Sequence, residues 1–295
     1  MPTLTPEKLA EFQAAFDEAQ SKAGEDMVRA VRKLFSNYIA RVESIVLQVA
    51  ARPGTSISLP ETQAVLADMI QALELAGRDD LIREFQTKLA EVAGESLRYY
   101  DYIRPGSGTL GGISADTLNA LGRDFVSELE LGIDQKLVRP AASLIRDSML
   151  TATTREDAVR EITNAIESGG VLRRDGQEFT QANIEVFVQD SERRFARHTR
   201  TLKADELGLN IVVFTNPLDS KTAEQCRFLA TTAKYGVPGF WYKDEFTTDL
   251  HPQLKDPPLV VGGHWNCRGT VDFVDLEYAI SQGFRPRRGD SSAEG

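Results

Sequence analysis

The residues best equipped for chemistry lie late in the sequence, in GGHWNCRGTVDFV, residues 262–274. His264 stands three positions before Cys267, and a second cysteine, Cys226, lies upstream. A histidine this close to a cysteine could be half of a metal site, a nucleophile with its base, or a piece of core. Each use demands more than the pair. A catalytic thiol needs a base oriented by a third group, and nothing else in the stretch frames a pocket. His264-x-Asn266 has the look of one edge of a metal-dependent nuclease, but the other histidines and the acidic ligand of such a site are not identifiable. The chain has 2 cysteines and 3 histidines. Two cysteines cannot make a disulfide scaffold or a four-cysteine zinc site, so any metal would borrow His, Asp or Glu. His198 sits among arginines and reads as a surface residue, and His251, before Pro252, reads first as a loop residue.

Upstream, LDSKTAEQCRFLA, residues 218–230, carries Asp219, Lys221, Thr222, Cys226 and Arg227. Asp and Thr close turns and cap helix starts, so Asp219 or Thr222 is expected to cap a short helix through Cys226. Arg268 is expected to pair with Asp219 and tie the two stretches together. A second chemistry is cationic. ERRFARHTRTLK, residues 192–203, holds Arg193, Arg194, Arg197, Arg200 and Lys203, and the tail carries RPRR. These read as a solvated helix face and a frayed end, or as candidates for nucleic-acid contact. The net charge of −10 argues against a protein that simply coats nucleic acid, because such binding rests on cations neutralising phosphates. The Gly-rich IRPGSGTLGGIS, residues 103–114, lacks phosphate-loop spacing and reads as a linker.

The elements that must position these residues are mainly helical. Thr5-Pro6 opens a helix as cap and first residue. Val28, Val31, Leu34, Phe35, Tyr38, Val42, Ile45 and Val49 then recur at helical spacing. ARPGTSIS, residues 51–58, breaks the run, and Ser58-Leu-Pro-Glu61 has the form of a capping box for a helix ending near Gly77. Another helix runs from about Asp79 to Tyr100. Ser114 caps the next, residues 127–149 continue helical with an interruption near Pro140, and Thr154 with Asp157 starts a further one that Gly169-Gly170 stops. Thr180 opens the helix with the basic stretch, ending near Gly208. NIVVFTN, residues 210–216, reads as a buried strand, and TVDFV, residues 270–274, alternates like a closing strand. The intervening chain is loop-rich.

In order, then, stand a helix with Asp190, Glu192, Arg193 and Arg197, a strand, the Asp219 segment and the His264 segment. This arrangement resembles the minor head protein family of tailed bacteriophages, of the phage Mu head-morphogenesis type. Its D-x-[RK]-T…C-R-x-L pattern is matched by Asp219, Lys221, Thr222, Cys226, Arg227 and Leu229. Its H-x-N-C-R pattern is matched by His264, Asn266, Cys267 and Arg268. Weaker similarity reaches upstream, including TTREDAVREI, so the resemblance covers roughly residues 114–275. The chain departs from members with a fuller cysteine set, having Ala223 and Gly269 at two cysteine positions and Trp265 where proline is common. Those departures leave three states open for the sulfurs. Cys226, His264, Cys267 and a fourth ligand, His251 or Asp219, could hold zinc. Cys226 and Cys267 could form a disulfide, since a virion leaves the reducing cytoplasm. Or two reduced thiols pack side by side.

The expected fold is mainly α, a helical N-terminal and central body with a small C-terminal α+β unit. The expected regions are 1–104, a helical candidate for portal or capsid attachment; 105–209, a central helical region; 210–280, the α+β unit; and 281–295, a basic and polar tail. The resemblance implies a non-enzymatic virion protein of the head, near the portal vertex, partnered by portal or major capsid protein and in reach of packaged DNA. No cofactor is expected; zinc is the exception to be tested. An oligomer within the virion is compatible with this. The N-terminus does not read as a secretory signal and no apolar run approaches the roughly 18 to 20 residues of a membrane span, so synthesis in the host cytoplasm is expected. The alternatives are a metal-dependent hydrolase, nuclease or toxin-like domain built on His264 and Cys267, and a head–tail connector or adaptor.

Overall fold

The structure, a computed structural model, describes residues 4–108, 115–167, 181–262 and 267–287. His264 and Asn266 lie outside the described residues, as do the expected cap Ser114, the Gly169-Gly170 stop, Thr180 and the end of the tail. The helices are α1 (Pro6–Ala50), α2 (Leu59–Leu75), α3 (Arg78–Ile103), α4 (Ala115–Ile133), α5 (Arg139–Thr151), α6 (Arg155–Glu167), α7 (Gln181–Leu207), α8 (Glu224–Thr231), α9 (Pro258–Val261) and α10 (Leu276–Ser281). The strands are β1 (Ile211–Thr215), β2 (Phe240–Tyr242) and β3 (Thr270–Val274). The fold is therefore mainly α with a small antiparallel sheet near the C-terminus, as its residue patterns predict.

The expected division into consecutive regions is not how the chain packs. One compact unit gathers residues 1–23, 88–123 and 189–295, and the other gathers 24–87 and 124–188. Helices α1 and α3 thus contribute to both, and residues 103–108 are not a linker. Ser107 is buried there, with its Oγ donating to Tyr100 O at 2.7 Å.

In the helical unit, the periodic face of α1 buries Met27, Val31, Tyr38 and Val42, and α2 buries Val65 and Met69. Ser58 caps α2 as expected, its Oγ accepting from Glu61 N at 3.3 Å. Glu61 does not complete a capping box. Its carboxylate instead takes both arms of Arg155, with one bond at 3.1 Å. The buried Arg155 guanidinium also donates to Val49 O, Gly54 O and Ser56 O, closing the 51–58 break onto the start of α6. Thr154 accepts from Asp157 N at 3.2 Å, as its spacing predicts. The interruption near Pro140 is a π-helical turn over Asp134–Val138, in which Arg139 N bonds to Asp134 O. The slip to a wider turn absorbs the N–H that proline lacks and relieves its ring clash.

In the sheet unit, β1 is central, in the order β2-β1-β3, with both pairings antiparallel. Ile211 faces both Tyr242 and Val274, and Val213 faces Phe240 and Asp272. Ile211 through Phe214 are all buried, the pattern of a strand covered on both faces. Strand β3 is buried from Val271 to Val274, so its alternation does not mark a solvent face. Asp272 is inside, held by Arg200 Nη1 at 2.7 Å and by Gln13 Nε2 at 2.7 Å. Strand β2 was hidden by its shortness and by flanking Gly and Pro. Gly239 precedes it at φ +75°, where an added Cβ would lie 2.5 Å from Phe214 O, so only glycine fits.

Candidate functional site

Two loops and a helix meet at the mouth of β1. After Thr215 the chain turns through Asn216 and residues 217–222, then enters α8, which brings in Cys226. The run Cys267–Gly269 feeds β3 on the other side of β1. Asp219 and Thr222 do not cap α8; Ala223 occupies the cap position without a side-chain bond. They close the turn before it instead. Asp219 Oδ1 accepts from Lys221 N at 2.9 Å and from Thr222 Oγ1 at 3.1 Å, while Thr222 Oγ1 also donates to Pro217 O. A three-residue spacing serves a turn as well as a cap, so sequence alone could not separate the two.

The expected pairing of Arg268 with Asp219 is present and bidentate, with Nη1–Oδ2 at 2.9 Å and Nη2–Oδ1 at 2.7 Å. Arg227 Nη2 adds a bond to Asp219 O at 3.0 Å. The Arg268 guanidinium holds the Asp219 carboxyl well below the usual carboxylate range, and Asp219 in turn raises Arg268. Both side chains stand partly in solvent, so the pair sets geometry more than it adds stability.

Beneath this bracket lie the sulfurs. Cys226 Sγ and Cys267 Sγ are 3.3 Å apart, both wholly buried, with no covalent bond between them. Cys267 Sγ accepts from Gly269 N at 3.3 Å and from Asn216 Nδ2 at 3.6 Å. Arg197, from α7, donates to Cys267 O and Gly269 O, both at 2.7 Å. Burial pulls the Arg197 guanidinium below its ordinary value, opposed by Cys267 and Asp190. Glycine is required on both flanks of the sulfur. A Cβ at Gly262, which has φ +70°, would lie 2.8 Å from Cys267 Sγ, and one at Gly269 would lie 2.5 Å from the Phe214 ring.

The cationic stretch of α7 is largely inside. Arg197, Arg200 and Lys203 are buried, which corrects both the solvated-face reading and their candidacy for phosphate contact. Arg200 pairs with Asp272 and lies 3.8 Å from the Phe16 ring centroid, and Lys203 pairs with Glu206 at 2.9 Å. Arg193 and Arg194 keep partial exposure. The signal was present in the spacing. Positions 188, 192, 195–196, 199–200 and 203 follow one buried helical stripe, and Arg200 and Lys203 on it are paired rather than solvated. His198 is half-buried rather than a surface residue, and desolvation lowers its pKa, with Arg194 acting in the same direction.

His251 is a loop residue, its ring 5.2 Å from that of Phe228 and its Nδ1 accepting from Gln253 N. Among the described residues, no group of three or more His, Cys, Asp or Glu side chains is placed to hold a metal ion. The described donors at the site are the two sulfurs; His264, the other ligand candidate beside them, lies outside the described residues. No helix among the described residues is long and apolar enough to cross a membrane.

Chemically, the arrangement is a fastening: an exposed ion-pair bracket over a buried thiol pair, anchored to α7 by Arg197. No family model matches the chain, and neither does any curated protein or solved structure.

Proposed function

We propose that the chain is a structural minor head protein of a tailed phage, incorporated during head morphogenesis at or near the portal vertex. The observation that carries this reading is the bidentate Arg268–Asp219 bracket. It joins the two short segments whose order resembles the minor head family, and among the described residues Asp219 is engaged by Arg268 and Arg227. A hydrolase using the Cys267 thiol as nucleophile would need it accessible to substrate, and Cys267 is fully buried; the metal-dependent reading on His264 and Cys267 is separated by elemental analysis of the purified chain. Its partners are then portal or major capsid protein. DNA contact, if made by α7, falls to Arg193 and Arg194.

Co-assembly tests this. The full-length chain, co-expressed with portal and major capsid proteins of a tailed phage, is expected to sediment with head particles in stable stoichiometry. Its absence from particles, together with no binding to purified portal, overturns the proposal. Removing residues 1–104 would be a poor test of attachment, because residues 4–23 and 88–104 belong to the sheet unit.

A further inference from the structure

The two sulfurs at the base of the bracket are closer than packing alone requires, and their surroundings are not those of inert core thiols. Two N–H donors, from Gly269 and Asn216, address Cys267 Sγ. The guanidinium of Arg197 flanks the same point: a Cβ on Gly262 would lie 2.8 Å from Cys267 Sγ and 3.3 Å from the Arg197 guanidinium carbon. Hydrogen-bond donors and a neighbouring cation favour a thiolate over a thiol, and the thiolate is the nucleophile in disulfide exchange. Its target stands ready, with Cys226 Sγ at 3.3 Å. A disulfide bond measures about 2.0 Å, so closure needs an approach on the order of 1 Å, within reach of small side-chain rotations.

We propose that Cys226 and Cys267 form an oxidative modification site, closed into an intramolecular disulfide by exchange with a low-molecular-weight disulfide. The Cys267 thiolate attacks one sulfur of the small disulfide, forms a mixed disulfide and expels one small thiolate. Cys226, deprotonated, then attacks Cys267 Sγ and expels the second. The protein gives up two protons and two electrons, and the small disulfide takes them up to become two thiols. Both cysteines are fully buried, so the first attack proceeds through local opening and is slow. The product joins α8 to the run that leads into β3, two segments already held face to face by Arg268 and Asp219. Closure therefore locks the existing structure rather than remaking it. The inference stands on this geometry alone and does not depend on the virion assignment.

The test uses the reduced full-length chain incubated with oxidised glutathione. The expected result is the loss of two hydrogens in intact mass and a fall from 2 titratable thiols to none. The thermal midpoint is expected to rise by roughly 5–10 °C, with every change reversed by dithiothreitol. In Cys226→Ala, a glutathione adduct is expected to persist on Cys267. In Cys267→Ala, adduct formation at Cys226 is expected to be at least about tenfold slower. Three results would each overturn the proposal: thiols that stay reduced while a denatured control reacts, stable double glutathione adducts without an internal bond, and stoichiometric zinc in the reduced chain.

Discussion

At the scale of single residues, several charges among the described residues are held in pairs, and the pairs differ in what they do. Arg200 and Asp272 are both wholly inside, so removing one partner strands the other. Asp272→Ala is expected to destabilise the sheet unit by roughly 3 kcal/mol in denaturant unfolding, against little change for a surface control such as Glu277→Ala. Arg268 and Asp219 stand partly in water, and Arg268→Lys is expected to leave global unfolding nearly unchanged. It removes the two-pronged grip, however, so amide exchange across residues 217–227 is expected to quicken. Tyr38 presents the opposite case. Its hydroxyl is buried and meets no hydrogen-bond partner among the described residues, and burial pushes its pKa up to about 12. Tyr38→Phe removes an uncompensated polar group and is expected to be neutral or to stabilise by up to about 1 kcal/mol, read as a shift in denaturant midpoint. The Asp219–Arg268 pair was legible from residue type and from the resemblance of the two segments. The Arg200–Asp272 pair was not, because a basic stretch looks solvated until the helical stripe is traced through it.

At the scale of elements, boundaries followed from caps and breakers wherever the partner was local. Ser58, Thr154 and the approach to Gly208 behave as their spacing predicts. Sequence reading failed where a distant residue took over a local role. Glu61 has the position of a capping-box residue but is claimed by Arg155, a partner that no window of ten residues contains. That capture lowers the Glu61 pKa, chiefly through the Arg155 hydrogen bonds. A depressed carboxylate contributes stability that is complete above its unfolded pKa and is lost as pH falls through the lower folded value. The link between the 51–58 break and α6 is therefore expected to hold at neutral pH and loosen below the ordinary carboxylate range. Arg155→Met should flatten that acid-side loss, measured as helical-unit stability against pH. Strand β2 depends on one backbone position. Gly239→Ala forces a strained φ and a contact with Phe214 O, and is expected to cost at least about 1 kcal/mol and to weaken the β1–β2 pairing.

At the scale of the whole molecule, fold class was readable because helical periodicity and the change of texture after Gly208 are local properties. Which segments share a core was not, since that depends on pairings such as Tyr99 Oη to Phe273 O and Gln13 to Asp272, set by three-dimensional packing alone. Fragments cut at the apparent loop, 1–104 and 105–295, each carry incomplete parts of both units. Neither is expected to show a cooperative thermal transition alone, and a sharp transition in either would contradict the division. The same division sets an order on biosynthesis. The helical unit draws on nothing beyond residue 188, so its pieces are all present before β1 has left the ribosome. The sheet unit takes residues from both ends of the chain, so its first segment must wait through the synthesis of everything between. Until β3 arrives, Gln13 and Tyr99 lack their partners. Interrupted translation would thus leave the apolar face at the start of α1 uncovered, and the residues of β3 decide whether those of early α1 are buried.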